Sequence, residues 1–253
     1  MQEFNRFLGA LRFLTIVPVP SSDLMEKDWL TRSAKYFSAV GFLVGAAAAG
    51  VLLLASEIWN GAIPAMLATA ASIALTGALH EDGLADMADG LGGGRTKDKR
   101  LEIMKDSRIG AYGALALGFG IALRVIALSA LVPWVGAVAL VAANAGGRFA
   151  AAAVMVTLNY AGDPAVTRIA HTNDRPRVFE VVIALSLALI GLLPVALTSA
   201  FAAFAGLVAG TILAVWLVGR ARKLIGGYTG DVLGAVEQMF EIGFLLGVAA
   251  IAR

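Results

Sequence analysis

Four carboxylates, Glu81, Asp82, Asp86 and Asp89, stand between positions 81 and 89 of a chain that is otherwise dominated by apolar residues. On a helix turning about 100° per residue, Asp82, Asp86 and Asp89 fall within a sector of roughly 60°, so their side chains converge on one face. Two carboxylates about 5 Å apart at an effective dielectric near 20 repel by roughly 3 kcal/mol. Three on one face therefore call for protons, basic partners or cations between them. The chain has no cysteine, and its two histidines, His80 and His171, lie in separate segments, too few for an ordinary zinc site. Hard oxygen ligands remain, which suit Mg²⁺ or Mn²⁺. Asp82, Asp86 and Asp89 are the expected metal ligands, with Glu81 a weaker fourth because it projects about 100° away from Asp82. A divalent ion held this way bridges diphosphate oxygens and neutralises charge on a leaving group, so the chemistry expected is metal-assisted phosphoryl transfer. The structural alternative is a solvated acidic segment paired with Arg95, Lys97, Lys99 and Arg100.

Other residues could serve the same chemistry. Lys105 and Arg108 are candidate phosphate or nucleotide contacts, with Asp106 aligning one of them. Topology and lipid headgroups account for the same basic residues. Arg95, close behind Gly92-Gly93-Gly94, is a further phosphate candidate. Gly226-Gly-Tyr-Thr229-Gly230-Asp231 reads as a turn whose amides cradle phosphate, with Asp231 either a metal ligand or a helix cap. His80 or an unliganded carboxylate is a candidate proton acceptor, and no spacing selects between them. Within the apolar runs, Glu237 and Glu241 share a face at i, i+4, as do Asn144 and Arg148. Residue counting puts Arg124 and Glu241 at similar depth, a candidate ion pair. Snorkelling and phosphate binding both suit Arg148. Asp163, His171, Asn173 and Asp174 read as a solvated loop outside the site.

These residues must be positioned by membrane helices. The chain is 59% hydrophobic and 15% charged over 253 residues, with apolar runs long enough to cross a hydrocarbon core about 30 Å thick. Seven spans are predicted, near 35–56, 61–79, 111–132, 134–157, 178–195, 200–218 and 232–251, forming one all-α membrane domain over 1–253. With the N-terminus inside, 17 of the 20 Lys and Arg residues fall in the arm up to Lys35 and in the loops 80–110, 158–177 and 219–231. The remainder are Arg124 and Arg148 within spans and Arg253 at the end. The positive-inside rule therefore puts the acidic segment in the cytoplasm. Phe4, Phe7, Leu8, Leu11 and Leu14 recur at helical spacing before Pro18 and Pro20, predicting an N-terminal interfacial or re-entrant helix. No removable signal peptide is expected. Gly41 with Gly45, Gly206 with Gly210 and Gly243 with Gly247 predict close helix contacts. A net charge of +2 gives no reason to expect nucleic acid as a partner.

Three separated blocks carry a resemblance that spacing alone does not. They are Thr76-Gly-Ala-Leu-His80-Glu-Asp82-Gly-Leu-Ala-Asp86-Met-Ala-Asp89-Gly90, Leu101-Glu-Ile-Met-Lys105-Asp-Ser-Arg108-Ile-Gly110, and Gly226-Gly-Tyr-Thr229-Gly-Asp231-Val-Leu-Gly234-Ala235. With Phe13-Leu-Thr-Ile-Val-Pro18-Val-Pro20, they resemble the cobalamin 5'-phosphate synthase (adenosylcobinamide-GDP ribazoletransferase) family over nearly the whole chain. Ala78 departs from it, standing where glycine is common. The resemblance implies a Mg²⁺-dependent, multi-pass enzyme of the bacterial inner membrane with its active site facing the cytoplasm. It implies transfer from adenosylcobinamide-GDP to alpha-ribazole or its 5'-phosphate, with release of GMP, in final assembly of the cobalamin nucleotide loop. The aspartates Asp82, Asp86, Asp89 and Asp231 then form the catalytic set, and Arg95, Lys105, Arg108, Thr229 and Gly230 the phosphate-binding set. Membrane lipid and a possible homo-oligomer complete the expected partners.

Two other classes compete. CDP-alcohol phosphotransferases and prenyltransferases also place aspartates at a cytoplasmic membrane face. The first carry Asp-Gly-x2-Ala-Arg, whereas here Asp82-Gly83 leads to Asp86-Met87, and the second carry another Asp-rich loop that this chain lacks. A carrier using Arg124, Arg148, Glu237 and Glu241 as a path is weakened by the absence of an inverted repeat.

Overall fold

In hydrocarbon a segment must satisfy its own backbone polar groups, so the long apolar runs are expected to fold as helices. The computed structural model describes residues 2–20, 28–162 and 175–252. Its described residues form an all-α bundle: α1 (Gln2–Leu14), α2 (Trp29–Ser33), a 3₁₀ turn (Ala34–Tyr36), α3 (Phe37–Ser56), α4 (Ala62–Thr76), α5 (Leu79–Gly93), α6 (Lys97–Met104), α7 (Ala111–Ser129), α8 (Pro133–Thr157), α9 (Val178–Thr198), α10 (Ala200–Leu224) and α11 (Gly230–Ile251). Among the described residues six stretches are long and apolar enough to cross a membrane: Trp29–Ser56, α7, α8, α9, α10 and α11. Counting the bent pair α4 and α5 as one span makes seven. The chain is thus a multi-pass helix bundle. Asp163, His171, Asn173 and Asp174 lie outside the described residues.

The largest departure from the sequence reading is at the second span. A helix over 61–79 is predicted, but α4 stops at Thr76, and Gly77 (φ 63°) and Ala78 (φ 59°) turn left-handed. The Ala78 amide donates to Ile73 O at 2.9 Å and the Gly77 amide to Ala74 O at 3.2 Å, closing a Schellman-type terminus. Ala78 bears a cost of about 1–2 kcal/mol there that glycine would not. From outside the turn, the Ile16 amide donates to Leu75 O at 2.9 Å. The chain then leaves along α5 at 89° to α4. The acidic residues expected in a loop beside the bundle therefore sit on a helix packed into it, against α7 and α11. Gly92 and Gly93 continue α5 rather than forming a turn, and Gly94 ends it.

Two largely buried helices, α8 and α11, form the centre. Gly41 and Gly45 of α3 lie against the backbone of α8, and Gly243 and Gly247 of α11 against α10 at Ala205 to Gly210, as the small-residue spacings predict. Outward faces of α9 and α10 keep Leu197, Phe201, Ile212 and Trp216 exposed, an apolar surface of the kind a multi-pass bundle carries. The N-terminal helix α1 is docked on α2 and α3. Ala10 and Leu14 are buried, Phe7 meets Tyr36 edge-on at 5.8 Å, and Lys35 Nζ lies 2.6 Å from Glu3 Oε2.

Candidate functional site

The site is assembled where α5 and α11 touch through glycine. A β-carbon on Gly83 would lie 2.8 Å from Asp231 O, and one on Gly234 would lie 3.1 Å from His80 Cα. The contact brings Asp82 and Asp86 on α5 beside Asp231 at the start of α11. Asp86 lies within electrostatic reach of Asp82, Asp231 and Asp89, and Asp231 within reach of Asp82. Thr229 caps α11, accepting from the Val232 amide at 3.4 Å and donating to Asp231 Oδ2 at 3.1 Å. The cap that the sequence left open for Asp231 thus falls to Thr229, and Asp231 presents its carboxylate at the positive end of the helix.

Not all four carboxylates of the acidic segment are equally placed. Asp89 accepts the Gly110 amide at 2.7 Å and the Gly113 amide at 2.9 Å, one on each oxygen, bracing the N-terminus of α7. A β-carbon at either glycine would collide with this carboxylate. Glu81 is turned away, its Oε1 2.9 Å from Arg124 Nη2. Among the described residues no hydrogen-bonding or basic partner reaches Asp82 or Asp86. No three His, Asp or Glu side chains among the described residues form a ready-made ligand set. Mg²⁺ does not require one, because it is usually held by one or two carboxylates with water and substrate phosphate oxygens completing the shell. Asp82 and Asp86, with Asp231 held only by the Thr229 hydroxyl, fit that donor chemistry, whereas both oxygens of Asp89 and Oε1 of Glu81 are already engaged.

A cavity of about 490 Å³ adjoins this cluster, and Asp82, Asp231, His80, Lys105, Thr229 and Gly230 line it. Arg148, for which the sequence offered both snorkelling and phosphate binding, is a buried cation that lines the cavity. Arg95 and Arg108 do not line the cavity. Arg108 instead forks onto Asp106, with Nη2 to Oδ2 at 2.7 Å and Nε to Oδ1 at 3.1 Å. That guanidinium holds the Asp106 carboxyl down to about 2. Pairing of Asp106 with one cation is as the sequence suggests, but it draws Arg108 onto the exposed surface rather than into the cavity.

Beneath the cluster runs a buried ion network that joins four helices. Arg124 of α7 bridges Glu81 of α5 and Glu241 of α11, the latter at 3.2 Å. Arg148 of α8 meets Glu237 at 2.7 Å and Glu241 at 3.3 Å, and also donates to Asn144 O and Oδ1. Gln238 Nε2 donates to Glu237 Oε2 at 2.9 Å. In a low-dielectric interior such charges persist only when paired, and these pairs fix α5 against α7 and α11. Depth counting found Arg124 with Glu241; Glu81 as the third member was not legible, because the sequence reading put it in a loop outside the spans, whereas it stands on α5 packed against α7.

The family model for cobalamin-5-phosphate synthase matches residues 6–249. Proteins named adenosylcobinamide-GDP ribazoletransferase are similar over nearly their full length. That of Shewanella frigidimarina is 37% identical, covering 99% of this chain and 96% of the relative. Those of Leptothrix cholodnii and Ralstonia pickettii are 38% and 41% identical, covering 98% and 95% of this chain and 96% and 93% of the relatives. No solved structure matches.

Proposed function

This chain belongs to the cobalamin-5-phosphate synthase family and is an adenosylcobinamide-GDP ribazoletransferase of cobalamin biosynthesis, and we propose that it joins adenosylcobinamide-GDP to alpha-ribazole or its 5'-phosphate in a Mg²⁺-dependent reaction at the cytoplasmic face of the inner membrane. The observation that carries this reading is the meeting of three carboxylates with no basic partner among the described residues, Asp82, Asp86 and Asp231, the first and last of which line a cavity together with Lys105 and His80. The positive-inside distribution of Lys and Arg supports the inward orientation.

In the proposed reaction a ribazole hydroxyl oxygen attacks the phosphorus attached to the cobinamide side. The P–O bond to GMP breaks, a phosphodiester forms, and the hydroxyl proton is released. Mg²⁺, when bound by Asp82, Asp86 and Asp231, would supply neutralisation of the diphosphate and of the departing GMP. Lys105 adds a cation for phosphate, while the α11 N-terminus and Gly230 offer backbone amides. Asp89 is a positioning residue in this scheme: by holding α7 it fixes the face on which Asp82 and Asp86 stand. His80 lines the cavity and is a candidate acceptor for the proton, a role the spacing left open.

The test is turnover by purified protein in nanodiscs. GMP release from adenosylcobinamide-GDP is expected only when ribazole or its phosphate and Mg²⁺ are both present. Release without an acceptor, or full activity in EDTA, would overturn the reading.

A further inference from the structure

The walls of the cavity divide by chemistry. Alongside the charged residues of α5 and α11 it is lined by Phe13, Leu14, Leu30, Phe37, Leu101 and Met104, contributed by α1, α2, α3 and α6. None of these side chains offers a conventional hydrogen-bonding group, and Leu14, Leu30, Phe37 and Met104 are buried. Phe13 is half-buried and held in place, stacked on Phe37 at 5.9 Å with 23° between the planes and edge-on to Trp29 at 6.1 Å. Aromatic and thioether walls of this kind suit a flat ring.

We infer that this apolar recess is the acceptor-base subsite, taking the flat, largely apolar fused-ring base of a nucleoside, and that Phe13 and Met104 determine which base is accepted. The inference rests on the ribazole-transfer reading above and adds to it where the acceptor sits. Three considerations select the occupant. At about 490 Å³ the cavity lies in the lower part of the usual range for small-molecule sites, roughly 300–1,000 Å³, which gives room for a nucleoside. The guanine of the donor carries amide and amino groups that these walls would leave unpaired, at a cost of about 1–3 kcal/mol for each. An acyl chain would fill the recess but would use none of Asp82, His80, Lys105 or Asp231 lining the same space. A nucleoside with an alkylated benzenoid base meets both halves, placing its sugar hydroxyls toward the carboxylates.

The test measures KM for ribazole and for adenosylcobinamide-GDP in nanodisc-embedded wild type, Phe13→Ala and Phe13→Leu. Phe13→Ala is expected to raise the KM for ribazole about tenfold while leaving that for the donor within about twofold, and Phe13→Leu to recover most of the loss. An unchanged ribazole KM in folded Phe13→Ala protein, or a rise confined to the donor, would overturn the inference. If Phe13→Ala does not fold, binding decides: wild-type protein without donor should bind ribazole, followed by the fluorescence of its base, and 5,6-dimethylbenzimidazole should compete where adenine does not. Equal competition by adenine, or displacement of the base by fatty acid alone, would refute it. Failure of the functional reading is distinguishable, because it would appear as wild-type protein releasing no GMP with ribazole present.

Discussion

Replacing Asp89 separates the geometry from the spacing. By spacing Asp89 belongs with Asp82 and Asp86 as a metal ligand; in the structure its two oxygens accept the amides of Gly110 and Gly113 at 2.7 and 2.9 Å. A hydrogen bond to a charged group contributes about 1.5–3 kcal/mol, part of which water recovers when the acceptor is removed. Asp89→Ala is therefore expected to cost about 3 kcal/mol and Asp89→Asn, which keeps one acceptor oxygen and no charge, about 1.5 kcal/mol. In a chain of this size each kcal/mol shifts Tm by about 2–4 °C. Differential scanning fluorimetry in one fixed detergent should then show Tm falling by roughly 6–12 °C for the alanine variant and by about half as much for the asparagine variant. Asp82→Asn should lose turnover without a comparable fall, since no partner among the described residues depends on it. An Asp89→Ala protein as stable as wild type but devoid of turnover would refute the bracing role and return Asp89 to the ligand set.

Two further outcomes follow from the ion pairs. Arg124→Met leaves Glu81 and Glu241 without their shared cation and is expected to destabilise by about 3–5 kcal/mol, read as loss of folded protein by size-exclusion chromatography; adding Glu81→Gln and Glu241→Gln should restore much of it, and no recovery would argue against charge as the cause. At α1, the hydrogen bond from Lys35 holds the Glu3 carboxyl down to about 2, with Tyr36 and Arg6 assisting against desolvation. A depressed folded-state value means the contact stabilises above the ordinary carboxylate value near 4.5 and weakens as pH falls from there toward 2. Protection factors of the α1 amides, exchange rates corrected for their intrinsic pH dependence, should fall over that window in wild type and show no such change in Glu3→Gln.

The bundle was legible because hydrophobic runs of 18 or more residues have few other structures available in lipid. The convergence of Asp82 and Asp86 was legible because a helical period fixes it, and Arg124 with Glu241 because rise per residue fixes depth. What spacing omitted depended on distant backbone. The amides that claim Asp89 lie 21 and 24 residues onward. The turn at Gly77 and Ala78 was hidden because alanine seldom adopts a positive φ, so the apolar pattern ran on to 79. The amphipathic stripe of α1 predicted a surface helix but could not say that Phe13 and Leu14 would wall a cavity shared with Asp82.

The central claim is that α5 and α11 jointly hold a divalent ion against the diphosphate. Mn²⁺ titrated into the protein with adenosylcobinamide-GDP and followed by electron paramagnetic resonance tests it most directly, in wild type, Asp82→Asn and Asp231→Asn. Both variants are expected to bind Mn²⁺ at least about tenfold more weakly. Wild-type affinity in folded Asp231→Asn protein would contradict a site shared between the two helices.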